Sequence, residues 1–268
     1  MAVTYTTIPP PDHLSTYVRF FWILESNGPY VHRQLADISP ELIFHYKGKF
    51  DKIGPEGART PSFRSGIHGQ SNTISRFTID REFGIFGVYL YPYAIPPLLQ
   101  MESTEIIGRM PDLSTLWSKE GSLLEEQMCT AADNQQRLQI ITDFLSQKLL
   151  NRENNHPAIF NSVQYILKTK GILTVETLAS KCGLSQRQFG RLFKQYTGFT
   201  PKLFSRITRF HAATKRYENG YNQSLTEVAL DCGYYDQSHF IQDFKTFAGC
   251  LPSVFFSGEA EGTEWRDA

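Results

Sequence analysis

The stretches TVETLASKCGLSQRQFGRLFKQYTGFTP (174–201) and SLTEVALDCGYYDQSHFIQDFKTFAGCLP (224–252) are two copies of one unit. Leu178, Ala179, Cys182 and Gly183 correspond to Val228, Ala229, Cys232 and Gly233 at an offset of 50. Phe189, Phe193, Lys194, Gly198 and Pro201 correspond to Phe240, Phe244, Lys245, Gly249 and Pro252 at an offset of 51, so one residue is inserted in the turn. The small Ala lets a second helix approach the first, and the glycine suits the left-handed residue that ends the first helix. The second helix opens behind Ser185 in one copy and Asp236 in the other, both good acceptors for the exposed amides of a helix start. The paired phenylalanines, four residues apart, share one face and predict a buried side. Each copy therefore reads as a helix-turn-helix whose second helix is placed to enter a major groove.

The outward positions on these second helices are Gln186, Arg187, Gln188, Gly190 and Arg191, then Gln237, Ser238, His239 and Gln242. Arg pairs bidentately with guanine and Gln with adenine. The other reading is a solvated polar face, and two copies inside one basic block favour base contact. The intervening PKLFSRITRFHAATKRYENG (201–220) starts at a helix-compatible Pro201 and stops at Gly220. A helix of about 18 residues spans ~27 Å against ~34 Å for a turn of B-DNA, which suits two recognition helices on successive grooves. Lys194, Arg206, Arg209, Lys215, Arg216 and Lys245 are the expected phosphate contacts, although some of these could instead form a solvated face.

Charge is distributed unevenly. Across all 268 residues 27 basic and 27 acidic groups cancel. Residues 1–150 carry a net −3, residues 151–257 a net +6 and residues 258–268 a net −3. A basic block in a neutral chain points either to a nucleic-acid partner or to a plain basic surface.

Ahead of the repeat the periodicity changes. YVRFFWIL (17–24), ELIFHYK (41–47), TISRFTI (73–79) and FGIFGVYLY (83–91) are aromatic and β-branched runs separated by Gly, Pro and Asn. They predict a barrel or sandwich of strands. From Ile95 onward the pattern is helical, with Leu138, Ile141, Leu145 and Leu149 near one face, widened by Ile140 and Phe144. Arg137, Gln139, Asp143, Gln147 and Lys148 are expected on the remaining surface. The apolar stripe either packs on the chain's own β domain or forms a homodimer seam through residues 113–150. NRENNH (151–156) reads as a linker, and Pro157 as the first turn of a new helix. The expected class is α+β: a β-rich domain (1–94), a helical connector (95–150), an all-α domain (157–257) and a disordered acidic tail (258–268).

Several chemistries are disfavoured. No apolar run approaches the ~18 residues of a membrane span, and the N-terminus shows no secretory pattern, so a cytoplasmic location is expected. Cys129, Cys182, Cys232 and Cys250 form no CxxC pair, and His32, His45 and His68 show no HxH or HxxxH spacing. No metal or cofactor is expected. GxSxG, GxxxxGK and HExxH are absent from the sequence, and no catalysis is expected. Phe20, Phe21, Trp22, Phe44, Tyr46, Phe86, Tyr89, Tyr91 and Tyr93 either line a ligand cavity or fill a solid core, with the core expected for most of them.

Residues about 157–256 resemble the AraC-type (AraC/XylS) DNA-binding domain, carried by LASKCGLSQRQFGRLFKQYTGFTP and, more specifically, by GYYDQSHFIQDFK. The resemblance implies two helix-turn-helix units joined by a long helix. It places Arg187, Gly190 and Arg191, and Gln237, Ser238, His239 and Gln242, where that family reads bases. Gly190 offers no side-chain contact, Cys250 stands for a commoner Ser or Thr, and Phe256 for a basic residue. YVRFFWIL, SPELIFHY and DLSTLW resemble the β-rich regulatory domain found ahead of such units. The implied function is a bacterial-type, sequence-specific transcriptional regulator modulated by a small-molecule effector or self-association, with double-stranded DNA and RNA polymerase as partners. The alternatives are a DNA-binding unit fused to an enzyme such as a DNA repair alkyltransferase, or a small-molecule-binding barrel enzyme. The first needs an activated thiol, and Cys129, the cysteine that the repeat leaves unexplained, has acidic and neutral neighbours.

Overall fold

The computed structural model describes residues 3–149, 156–218 and 224–260. Among them are nine strands: β1 (Val3–Ile8), β2 (Val18–Ser26), β3 (Tyr30–Gln34), β4 (Glu41–Lys47), β5 (Asp51–Ile53), β6 (Arg59–Pro61), β7 (Ser65–His68), β8 (Ser75–Ile79) and β9 (Phe83–Leu90). They form a five-stranded sheet in the order β1-β2-β9-β4-β7 and a four-stranded sheet in the order β3-β8-β5-β6. Every pairing between these strands is antiparallel. Of the two expected forms, the fold is the sandwich, and it keeps a cavity between its sheets.

Side-chain alternation assigns the two faces of the larger sheet. Phe21, Ile23, Leu42, Phe44, Phe86, Val88 and Leu90 point to the helices. Trp22, Leu24, Phe83 and Ile85 point the other way, to Tyr30, Phe50, Phe77 and Ile79 of the sandwich interior. A sheet covered on both faces loses the polar side of an ordinary antiparallel sheet, which is why these strands read as continuous apolar runs. The aromatics divide accordingly: Phe21, Phe44 and Phe86 are fully buried core, whereas Phe20, Trp22 and Tyr89 line the cavity.

The helices that cover the sheet are α1 (Ile95–Leu99), α2 (Leu113–Thr130) and α3 (Asn134–Leu149). Ile141 and Leu145 on α3 are fully buried in the main core, with Phe144 and Leu149 nearly so. The stripe is therefore covered by this chain, the first of the two packings expected for it. Arg137 is also not on the surface. It donates to the Met128 and Ala131 carbonyls at 3.0 and 2.8 Å and lies 3.8 Å from the Tyr46 ring centroid, tying the end of α2 to α3.

The C-terminal helices are α4 (Pro157–Lys168), α5 (Val175–Lys181), α6 (Gln186–Thr197), α7 (Pro201–Glu218), α8 (Leu225–Asp231), α9 (Gln237–Ala248) and α10 (Pro252–Phe256). Phe204, Ile207, Phe210 and Ala213 of α7 are fully buried, and both helix-turn-helix units pack on it. The main core is continuous with that of the β-rich half: the Tyr93 and Phe160 rings stack with centroids 3.9 Å apart. Residues 151–155 of the expected linker and Gly220 lie outside the described residues. The start of the acidic tail departs from the expected disorder, since Ala260 is buried and its amide donates to the Val254 carbonyl at 3.2 Å. Among the described residues no helix is long and apolar enough to cross a membrane.

Candidate nucleic-acid interface

Both units are built as their sequences dictate. Ser185 accepts from the Gln188 amide to start α6, and Asp236 accepts from the His239 amide to start α9. Each such cap is worth about 1 kcal/mol. Gly183 and Gly233 end the preceding helices at φ 65° and 79°, the left-handed region that a side chain would strain. The inserted residue falls between α8 and α9. Phe189, Phe193, Phe240 and Phe244 are fully buried, so the opposite faces of α6 and α9 look outward.

Arg187, Arg191 and Lys194 on α6 are exposed and spaced i, i+4, i+7, a cationic stripe along one face. Gly190 lies in it, and a methyl group added there would meet nothing within 4 Å. At the offset of 51 the equivalent positions on α9 are Ser238, Ile241, Gln242 and Lys245, of which Ser238, Gln242 and Lys245 are exposed. Gln186 is also exposed. Gln188 is committed locally: its Oε1 accepts from the Ser185 amide at 3.2 Å, completing a reciprocal cap. Gln237 accepts from Thr226 Oγ1 at 3.0 Å, and the half-buried His239 packs edge-on against Tyr234.

Three cations expected on phosphates have partners within the chain. Arg206 pairs with the fully buried Asp243, Nη2 to Oδ1 at 2.6 Å, and this hydrogen-bonded carboxylate holds the guanidinium pKa above its ordinary value. Arg209 donates to the Gly233 and Gly171 carbonyls at 3.2 and 3.1 Å, fastening both turns to α7. Arg216 bridges to Asp231 at 2.5 Å. Arg206 and Arg209 thus tie α7 to its own domain, whereas Arg216 and Asp231 pair at a partly exposed surface. Lys194, Lys215 and Lys245 remain on the surface.

Two features were missed by sequence reasoning. Tyr235 is 87% exposed at the turn before α9, the largest exposure among the described big apolar side chains, and its signal was the doubled tyrosine in GYYD. The other is how α6 and α9 end. The carbonyls of a helix's last turn lack partners within the helix. Here Ser103 Oγ donates to the Tyr196 carbonyl at 2.7 Å and Gln70 Nε2 to the Thr197 carbonyl at 3.1 Å. Likewise the Ala36 amide donates to the Phe247 carbonyl at 2.9 Å and Arg33 Nη1 to the Ala248 carbonyl at 3.1 Å. The N-terminal half, strands and connector together, thus caps both helices, and no local sequence pattern announces such long-range bonds.

The alkyltransferase alternative gains no support, because burial pushes the thiols of Cys129, Cys182 and Cys232 up, away from thiolate. His45 and His68 are buried, and among the described residues no group of His, Cys, Asp or Glu could hold a metal ion.

Residues 178–258 match a family described as a helix-turn-helix domain, and residues 6–111 one described as a domain of unknown function, DUF6597. The XylDLEGF operon transcriptional activator 1 of Pseudomonas putida is 29% identical over 119 residues, 43% of this chain and 35% of that protein. The probable transcriptional regulator LumQ of Photobacterium leiognathi is 29% identical over 173 residues, 60% of this chain and 68% of that protein. The matched stretch spans about a third of the length of the first curated relatives. A crystal structure of ToxT from Vibrio cholerae aligns over 96% of this chain and 98% of its own, at 10% identity and a TM-score of 0.48. Two capped helix-turn-helix units on one central helix, together with the sequence match, make the C-terminal part of this chain a helix-turn-helix domain of the AraC type.

Proposed function

We propose that this chain is a transcriptional regulator that binds double-stranded DNA with α6 and α9 in successive major grooves. The observation that carries this reading is the exposed Arg187–Arg191–Lys194 stripe, repeated in register as Ser238–Gln242–Lys245. In it Arg187, Arg191, Gln186 and Gln242 read base edges, while Lys194, Lys215 and Lys245 lie on phosphates. Ser238, Gln237 and His239 border the second reading face, and Tyr235 rests against the backbone beside it. Residues 157–257 are the DNA-binding part and residues 1–150 the regulatory part. A cytoplasmic location and contact with RNA polymerase go with this role.

The test is fluorescence anisotropy with a duplex selected from genomic DNA and with a random duplex, each at several salt concentrations. Affinity should fall steeply with salt as counterions are released. Arg191→Ala should cost about 1–3 kcal/mol on the selected duplex and less on the random one. Lys194→Ala should weaken both equally and lower the salt slope by about one. Absence of binding to any duplex at low salt would overturn the reading. Equal losses for Arg191→Ala on both duplexes would move that residue to the backbone.

A further inference from the structure

Between the two sheets lies a half-open cavity of about 330 Å³, at the small end of the range for ligand sites. Glu41 of β4 lines it, and among the described residues no hydrogen-bond donor or cation pairs with its carboxyl. The other carboxylate and the two arginines of the cavity are engaged. Asp37 accepts from the Ser39 amide at 2.8 Å and from the Tyr89 hydroxyl. Arg19 donates to Ser39 Oγ at 3.3 Å and lies 5.0 Å from the Tyr89 ring centroid. Arg33 is drawn to the end of α9. Burial lowers His45 to about 4 and His68 to about 3, so both are neutral at physiological pH. What faces the space is an unmatched carboxyl among aromatic walls, with the Tyr5 and Trp22 ring centroids 6.3 Å apart.

Burial and the neighbouring Asp37 push Glu41 up to about 8, as expected of an acid that lacks a counter-charge. An ammonium group supplies that charge, and aromatic faces attract a desolvated cation further. We propose that the cavity binds a small organic cation, an amine or quaternary ammonium on an apolar body, with Glu41 as its counter-ion. The site is separate from the outward faces of α6 and α9, so its test is independent of DNA binding.

The experiment is thermal unfolding of the full chain with 2-phenylethylamine, its neutral counterpart 2-phenylethanol, or the anion 3-phenylpropanoate. At about ten times Kd the amine should raise Tm by roughly 3 °C or more. The alcohol should act more weakly and the anion not at all. Glu41→Gln, checked for folding by circular dichroism, should lose the amine response. The proposal is overturned if the anion stabilises as well as the amine, if no probe shifts the wild type, or if folded Glu41→Gln responds fully. Should that variant not fold, the three probes on the wild type decide.

Discussion

Arg206→Ala separates two roles for one cation. On sequence grounds Arg206 belongs with the phosphate contacts, whereas in the structure it holds Asp243. Asp243 has 1% of its side chain exposed and Arg206 34%, and Arg206 Nε and Nη2 lie 3.2 and 2.6 Å from Asp243 Oδ1. Removing one partner of a buried pair costs about 3–5 kcal/mol, because the other charge is stranded. One third of the Arg206 side chain is solvated, so a discount to about 2–4 kcal/mol is appropriate. At roughly 2–4 °C per kcal/mol, Tm should fall by about 5–15 °C. Urea denaturation followed by circular dichroism measures the loss, and Asp243→Asn should also destabilise. The salt dependence of DNA affinity should keep its slope. An unfolding midpoint equal to wild type, with a DNA salt slope lowered by about one, would place Arg206 on a phosphate and refute the internal tie.

Gly190→Ala should stabilise the chain by about 1 kcal/mol, since the position is helical, has open space and gains helix propensity; a lower urea midpoint would refute this. Ile141→Glu should cost about 4 kcal/mol or more by burying an unpaired carboxylate on α3. If the variant stayed folded and only sedimented as a smaller species, the covered-stripe assignment would fail. Stability should peak near pH 6.5. Below it, His45 and His68, lowered to about 4 and 3, take up fewer protons folded than unfolded, so acid destabilises the fold. Above it, Glu41, raised to about 8, holds a proton that the unfolded chain has already lost, so stability declines toward pH 8 by about 1.4 kcal/mol per unit. Urea midpoints that rise steadily from pH 5 to 8 would contradict this.

Much of the helical half was legible because its determinants are local. Glycine at the turns, Ser185 and Asp236 at the caps, and phenylalanines four apart each act within a few residues, and the repeat showed them twice. The fates of Arg206, Arg209 and Arg137 were not legible. An arginine on an amphipathic helix looks the same in sequence whether it faces water or reaches a carbonyl on another element. The cavity was hidden for a related reason: Trp22 and Phe21 are neighbours in a strand, yet the pleat sends one into the space between the sheets and the other into solid core. Glu41 gives no local hint that its partner is missing.

The four carbonyls at the ends of α6 and α9 make the two halves poor cassettes for exchange. A graft that kept the helices and replaced the N-terminal half would have to supply donors where Ser103, Gln70, Arg33 and the Ala36 amide now stand. Each acceptor left buried without one costs about 1–3 kcal/mol. Inheritance of one half therefore restricts the other: a new N-terminal half has to arrive with the same four donors, or α6 and α9 must lengthen, fray or re-cap before the hybrid is stable.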